Sequence, residues 1–307
     1  MQTKFQGVYA ALVTPMTAAE EIDLGTLAGF VDHLVSEGVH GLIPLGSTGE
    51  YYALSAQERE DVLKTTFEAA AGRVPVVVGA NAGSTREVVR YCRQAEQMGA
   101  AGVLLAAPYY SLPAPDELLE HFRVVNNAIG IPIMLYNYPG RTGVDMPPAL
   151  IERLAELDRV QYVKESSGDV TRISQIIRRC GDKITVFCGS DTIALESFVL
   201  GVAGWVGGVA NVLPRRHVEL YQLAAVQKDF LAAREMYYKL LPVLAAMEGG
   251  GKYTQYVKAC CALVGRPVGP PRRPLLTPTA KELSQLGEIL AATEYQTCQN
   301  NHRNPRP

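Results

Sequence analysis

A chain of 307 residues, nearly half of them apolar, carries enough buried surface for one large domain or two modest ones. Its formal net charge of −2 supplies no field to hold nucleic acid or an anionic membrane, so neither is expected as a partner. The longest apolar runs, 101–107 and 131–135, are too short to span a bilayer, and the opening MQTKFQGVYAALVTP lacks the features of a signal peptide, so a cytoplasmic protein is expected.

The predicted elements alternate along the chain. A strand in GVYAALVTP from Gly7 precedes helical spacing over 23–37, GLIPLGS from Gly41 precedes 55–71, and VPVVVGAN from Val74 precedes 85–98. GVLLAAP from Gly102, IPIMLYN from Ile131 and VQYVKES from Val160 follow, the last leading into a helix over 171–180. ITVFCGS from Ile184 and GWVGGVAN from Gly204 complete eight candidate strands. Near-continuous apolar strands alternating with helices imply a parallel sheet covered on both faces, and eight such units fit a (β/α)8 TIM barrel. No GxGxxG follows the first strand, which weakens a dinucleotide-binding alternative.

Beyond about residue 214 the strand pattern stops. Helices are expected over 216–247, 252–264 and 280–293, with a Pro/Arg-rich connection at 265–274. The expected division is a barrel over 1–215, a C-terminal helical domain over 216–296 and a disordered tail over 297–307. Cysteines at 92, 180, 188, 260, 261 and 298 show no CxxC spacing, so reduced structural thiols are expected, with neither zinc nor disulfides implied.

In such a barrel, chemistry belongs at the C-terminal ends of the strands. Those ends read Gly46-Ser47-Thr48-Gly49-Glu50, Pro108-Tyr109-Tyr110, Tyr136-Asn137-Tyr138-Pro139-Gly140-Arg141, Lys164-Glu165-Ser166-Ser167-Gly168 and Gly189-Ser190-Asp191. HExxH, GxSxG and Walker patterns are absent; GGGKYT at 249–254 has Tyr253 where a phosphate loop needs Ser or Thr, and reads as a loop before a helix. Alternation in 160–164 places Val160, Tyr162 and Lys164 on one face. A lysine there has two readings. Its stem can lie on apolar surface while the ammonium meets solvent, Glu165 or Asp191. Alternatively it is a Schiff-base nucleophile, kept neutral by desolvation and by a cation such as Arg141. Tyr109, Tyr110 and Tyr136 likewise read as packing aromatics or as functional groups, Ser47 and Thr48 as turn and capping residues or as ligands, and Glu50 as a backbone cap.

GSTGE at 46–50, PYY at 108–110, YNYPGRTG at 136–143, VKESSGD at 163–169 and GSD at 189–191 together resemble the motifs of the dihydrodipicolinate synthase / N-acetylneuraminate lyase family. The resemblance covers essentially the whole chain. It implies a (β/α)8 barrel with a C-terminal helical domain, assembled as a homotetramer from two tight dimers. It further implies that Lys164 condenses with pyruvate or another 2-oxo acid, that Tyr136 is the general acid/base, and that Ser47 links Tyr136 to Tyr110 of a dimer partner. Amides around Ser47 and Thr48 would hold the 2-oxo acid carboxylate, Gly189 and Val206 would line the pocket, and no cofactor or metal would be needed.

Arg141 matches the arginine with which the synthases hold the carboxylate of aspartate semialdehyde. Ser47 stands where synthases carry threonine, Tyr51-Tyr52 replaces the small residues usual after that motif, and Thr85 stands where lysine-regulated synthases carry an acid, so feedback inhibition by lysine is not expected. Hydroxypyrroline-carboxylate deaminases and 2-keto-3-deoxy sugar acid aldolases therefore stand beside the synthase as alternatives. N-acetylneuraminate lyase and a barrel scaffold without turnover rank behind them.

Overall fold

The computed structural model describes residues 4–293, so the expected tail over 297–307 lies outside the described residues. Eight strands run β1 Gly7–Ala11, β2 Gly41–Ile43, β3 Val77–Gly79, β4 Gly102–Ala106, β5 Ile133–Asn137, β6 Val160–Glu165, β7 Thr185–Cys188 and β8 Gly204–Gly207. They pair in parallel in the order β2-β1-β8-β7-β6-β5-β4-β3. A parallel bridge between Leu42 and Val76 joins the two ends, with Leu42 N–H donating to Pro75 O at 3.1 Å and Gly79 N–H to Pro44 O at 2.9 Å. The expected (β/α)8 barrel is thus closed, and among the described residues its sheet leaves no free edge.

The helices are α1 Leu24–Ser36, α2 Ala56–Ala70, α3 Thr85–Gln97, α4 Pro115–Asn126, the single turn α5 Pro139–Thr142, α6 Pro148–Leu154, α7 Val170–Cys180 and α8 Ala194–Val199. After β8 come α9 Pro214–Tyr221, α10 Phe230–Gly249, α11 Tyr253–Leu263 and α12 Ala280–Ala292. Their starts are chemically marked: Ser55 with Glu58, and Thr279 with Glu282, close reciprocal capping boxes. The helix expected over 216–247 is interrupted. A π-helical turn, Gln222–Gln227, ends at Lys228 with φ 59°, and Asp229 restarts the chain as the N-cap of α10 by accepting from Ala232 N–H at 3.1 Å.

Two apolar layers result. One lies between strands and helices; the other fills the barrel with Tyr9, Ile43, Val77, Leu104, Met134, Tyr162, Phe187 and Val206. Phe5, just ahead of β1, stacks on Tyr162 with ring centroids 4.5 Å apart and covers the N-terminal end of the barrel. One face assignment is corrected here. Ile133 pairs with Val160 but Met134 pairs with Tyr162, so Gln161 is an extra residue on β6. That bulge turns Val160 into the outer layer beside Val163, while Tyr162 faces the barrel interior.

The later helices are tied to the barrel by buried charge. Lys258 on α11 lies 2.5 Å from Glu50 in the turn after β2, and the two side chains are 1% and 0% exposed. As expected, Glu50 also caps backbone, accepting from Arg272 N–H at 2.8 Å, and Lys258 Nζ donates to Pro270 O at 2.9 Å. The Pro/Arg-rich connection is therefore pinned, with Arg272 also bonded to Glu58 at 2.7 Å. Among the described residues no helix is long and apolar enough to cross a membrane, and the five described cysteines are free and buried; Cys298 lies outside the described residues.

Removing one partner of the buried pair strands the other charge. Lys258→Met should lower unfolding free energy by about 3–5 kcal/mol, and adding Glu50→Gln should restore part of it. Urea titration of both variants measures this; a Lys258→Met midpoint equal to wild type would show that the pair does not secure the helices.

Candidate active site

At the C-terminal mouth of the barrel a cavity of about 180 Å³ is lined by Ser47, Thr48, Tyr136, Arg141, Lys164, Gly189 and Val206. The turn carrying Ser47 and Thr48 follows Leu45, whose φ of 58° reverses the chain at the end of β2, and Thr14 holds it by donating to Gly49 O at 2.7 Å. Thr48 is buried and Ser47 half-buried.

Lys164 projects from β6, 6% exposed, with its Nζ 4.1 Å from the centroid of the Tyr136 ring on the neighbouring strand. Burial drives its pKa down to about 8, against the opposing pull of Asp191 and Tyr138, while Arg141 adds to the depression. Tyr136 is shifted upward by burial, while Arg141 and a hydrogen bond with Ser47 act against that rise. Arg141 sits on α5 at the open rim, its guanidinium 5.8 Å from the Tyr138 ring centroid. Gly189 is required by close approach: a Cβ there would fall 1.9 Å from Ser166 Oγ and 2.7 Å from Lys164 Cγ.

Glu165, one of the carboxylates considered as a partner for Lys164, is engaged elsewhere. It accepts from Asn137 Nδ2 at 2.9 Å and Ser167 N–H at 2.7 Å, while Asn137 Oδ1 accepts from Met146 N–H at 3.0 Å. Those bonds tie the ends of β5 and β6 together beneath the cavity.

Tyr110 does not join the cavity of its own chain. It is 96% exposed, and Tyr110 at φ 70° and Leu112 at φ 49° turn the loop after β4 outward. Three lining residues escaped the sequence reading: Gly208 just after β8, and Glu248 and Tyr253. Glu248 closes α10 and Tyr253 opens α11, and both reach the cavity from beyond the barrel. Tyr253 follows the GGGK loop, whose glycines signalled a turn but not its destination. Among the described residues no group of His, Cys, Asp or Glu could hold a metal ion.

An enclosed amine of lowered basicity, a phenol on the adjacent strand, a hydroxyl bonded to that phenol and a guanidinium at the rim are the groups that imine chemistry on a small anionic carbonyl compound needs.

The model of the dihydrodipicolinate synthetase family matches residues 4–293. A relative named 4-hydroxy-tetrahydrodipicolinate synthase, from Methanospirillum hungatei, is 38% identical over 290 residues, 94% of this chain and 99% of its own. The crystal structure of a putative dihydrodipicolinate synthetase from Pseudomonas aeruginosa is 35% identical, covers 94% of this chain and 100% of its own, and superposes with a TM-score of 0.91. That of the chloride-inhibited dihydrodipicolinate synthase from Acinetobacter baumannii, complexed with pyruvate, is 30% identical, covers 95% and 99% of the two chains, and gives a TM-score of 0.90. With motifs, barrel and whole-chain similarity in agreement, the chain belongs to the dihydrodipicolinate synthetase family.

Proposed function

We propose that the protein is a Schiff-base lyase that condenses pyruvate with aspartate semialdehyde, acting like the relatives named 4-hydroxy-tetrahydrodipicolinate synthase. The observation that carries this reading is the enclosed Lys164 amine, lowered to about 8 by burial and set against the Tyr136 ring. The neutral amine adds to the keto carbon, and the resulting carbinolamine loses its oxygen as water to leave a positively charged iminium. Tyr136 passes the protons, with Ser47 as its relay, and removal of a methyl proton from the iminium yields the enamine that attacks the aldehyde carbon. Ser47 and Thr48 hold the pyruvate carboxylate, and Gly189 and Val206 shape the space around the keto acid. Arg141 receives the carboxylate of the second substrate at the rim, a task suited to a planar guanidinium.

The polar wall made by Glu248 and Tyr253 also favours a second reading, aldol cleavage of a hydroxyl-rich 2-keto-3-deoxy sugar acid by the same lysine. The protein is read as a cytoplasmic homotetramer in which Tyr110 enters the cavity of a neighbouring copy and meets Ser47. Its near-complete exposure and outward loop support this.

Cyanoborohydride with pyruvate should add one pyruvate-sized mass to the peptide holding Lys164, and none to Lys164→Ala. The lysine amine is protonated below its pKa and nucleophilic above it, so the trapping rate should rise through about pH 8. A wild type left unlabelled by pyruvate and by larger 2-oxo acids would overturn the Schiff-base reading. If pyruvate is trapped but aspartate semialdehyde does not consume it, the sugar acid reading replaces the synthase.

Tyr136→Phe keeps the ring that packs beside Lys164 and deletes the proton carrier. It should lower kcat about 10²–10⁴-fold while the pyruvate concentration giving half-maximal trapping stays within about twofold. Steady-state kinetics beside equilibrium trapping separates the two effects, and an unchanged kcat would remove Tyr136 from the mechanism.

A further inference from the structure

Behind the cavity wall lies a buried carboxyl that the chemistry above does not use. Asp191 follows β7, is 1% exposed and does not line the cavity. Its Oδ1 accepts from Trp205 Nε1–H at 2.9 Å and its Oδ2 from the Tyr253 hydroxyl, whose oxygen in turn accepts from Gly208 N–H at 2.9 Å. The space is built for that carboxyl, since a Cβ on Gly207 would fall 2.5 Å from Asp191 Oδ1. α10 clamps the same turn from outside: Glu248 accepts from Asp191 N–H at 2.5 Å and Thr192 Oγ1 at 2.5 Å, and the Tyr237 hydroxyl donates to Thr192 O. The stem of Lys164 passes Gly189, only two residues before Asp191, at the distance that forbids a Cβ there.

We propose that Asp191 is a positioning residue for Lys164, a fixed buried counter-charge that steadies the lysine's ammonium and iminium forms against its neutral amine. The inference rests on the Schiff-base reading and deepens it. When the neutral amine takes up a keto carbon and a proton and releases water, a C–N bond replaces a C–O bond and the cavity gains one positive charge. Around a lysine this deeply buried that charge needs a partner, and a carboxylate anchored by an indole and a phenol meets it without reorganising.

The charged and titratable groups that interact electrostatically with Asp191 are Lys164 on β6, Tyr136 on β5, Cys188 on β7, Glu248 on α10 and Tyr253 on α11. Burial raises the Asp191 pKa to about 7, with Glu248 pushing the same way and Tyr253, Trp205 and Lys164 pulling it back. Around pH 8 the carboxyl is thus mainly ionised, and its charge favours the protonated lysine.

The test is cyanoborohydride trapping of pyruvate by the full-length protein between pH 6 and 9, read as initial rate and as the pyruvate concentration for half-maximal labelling. Asp191→Asn should move the midpoint of the rate profile about one unit toward lower pH, because the ammonium loses its counter-charge. It should also raise half-saturating pyruvate about tenfold at pH 9, where the reference state is the neutral amine, and leave it nearly unchanged at pH 6, where the Asp191 carboxyl of the wild type, with a pKa of about 7, is itself mostly neutral. A merely structural defect would weaken saturation equally at both. Tyr253→Phe, which removes a donor that keeps Asp191 ionised, should shift the midpoint in the same direction by less, and it decides the matter if Asp191→Asn does not fold. A wild-type midpoint in the folded variants, or a pH-independent defect, overturns the proposal while leaving Lys164 as the nucleophile. A wild type that pyruvate does not label at all overturns the Schiff-base reading, and this inference with it.

Discussion

Holding an amine where water cannot solvate its charge is the constraint around which this molecule is arranged. Lys164 is placed inside a barrel mouth whose inner layer is otherwise aromatic and aliphatic, so its ammonium is penalised and the neutral amine becomes accessible near neutral pH. A desolvated lysine is costly unless something balances it. In the proposal above the wall behind it supplies that balance through Asp191, and the strand ends on either side bring a phenol and hydroxyls into the same cavity. Closure of the barrel between Leu42 and Val76 makes the enclosure possible, because it brings the turn carrying Ser47 and Thr48 round to face β5 and β6.

The helices after β8 belong to the same arrangement. α10 and α11 bring Glu248 and Tyr253 to the cavity, clamp the turn bearing Asp191, and are fastened to the turn after β2 by Glu50 and Lys258. One buried ion pair thus joins the segment behind the lysine to the segment bearing Ser47. Packing of this kind explains how helices with no catalytic motif of their own shape a site built on strand ends.

Much of this was legible before the fold. Strand and helix periodicities name themselves locally, since a period of two or of 3.6 follows from backbone geometry alone. Lys164, Tyr136, Ser47, Thr48, Arg141, Gly189 and Val206 all line one cavity, because barrel strands deliver their C-terminal ends to a common face whatever their separation in sequence. Three features were not legible in the same way. The bulge at Gln161 depends on the register against β5, so simple alternation misplaced Val160. The break at Lys228 and Asp229 competes with helical periodicity on both sides. The left-handed backbone at Tyr110 and Leu112, which turns the loop after β4 outward, is a conformation the loop's sequence does not advertise.

The sequence by itself determined the architecture, the family and the chemical identity of the groups at the strand ends, because these reside in local periodicity and short motifs. Only the tertiary structure decided which carboxyl stands behind the lysine, which one is turned away, and that α10 and α11 complete the cavity wall. Those outcomes depend on packing between segments up to about two hundred residues apart, as Ser47 and Tyr253 are. Whether a buried charge is paired or stranded is set by three-dimensional proximity, which no local pattern encodes.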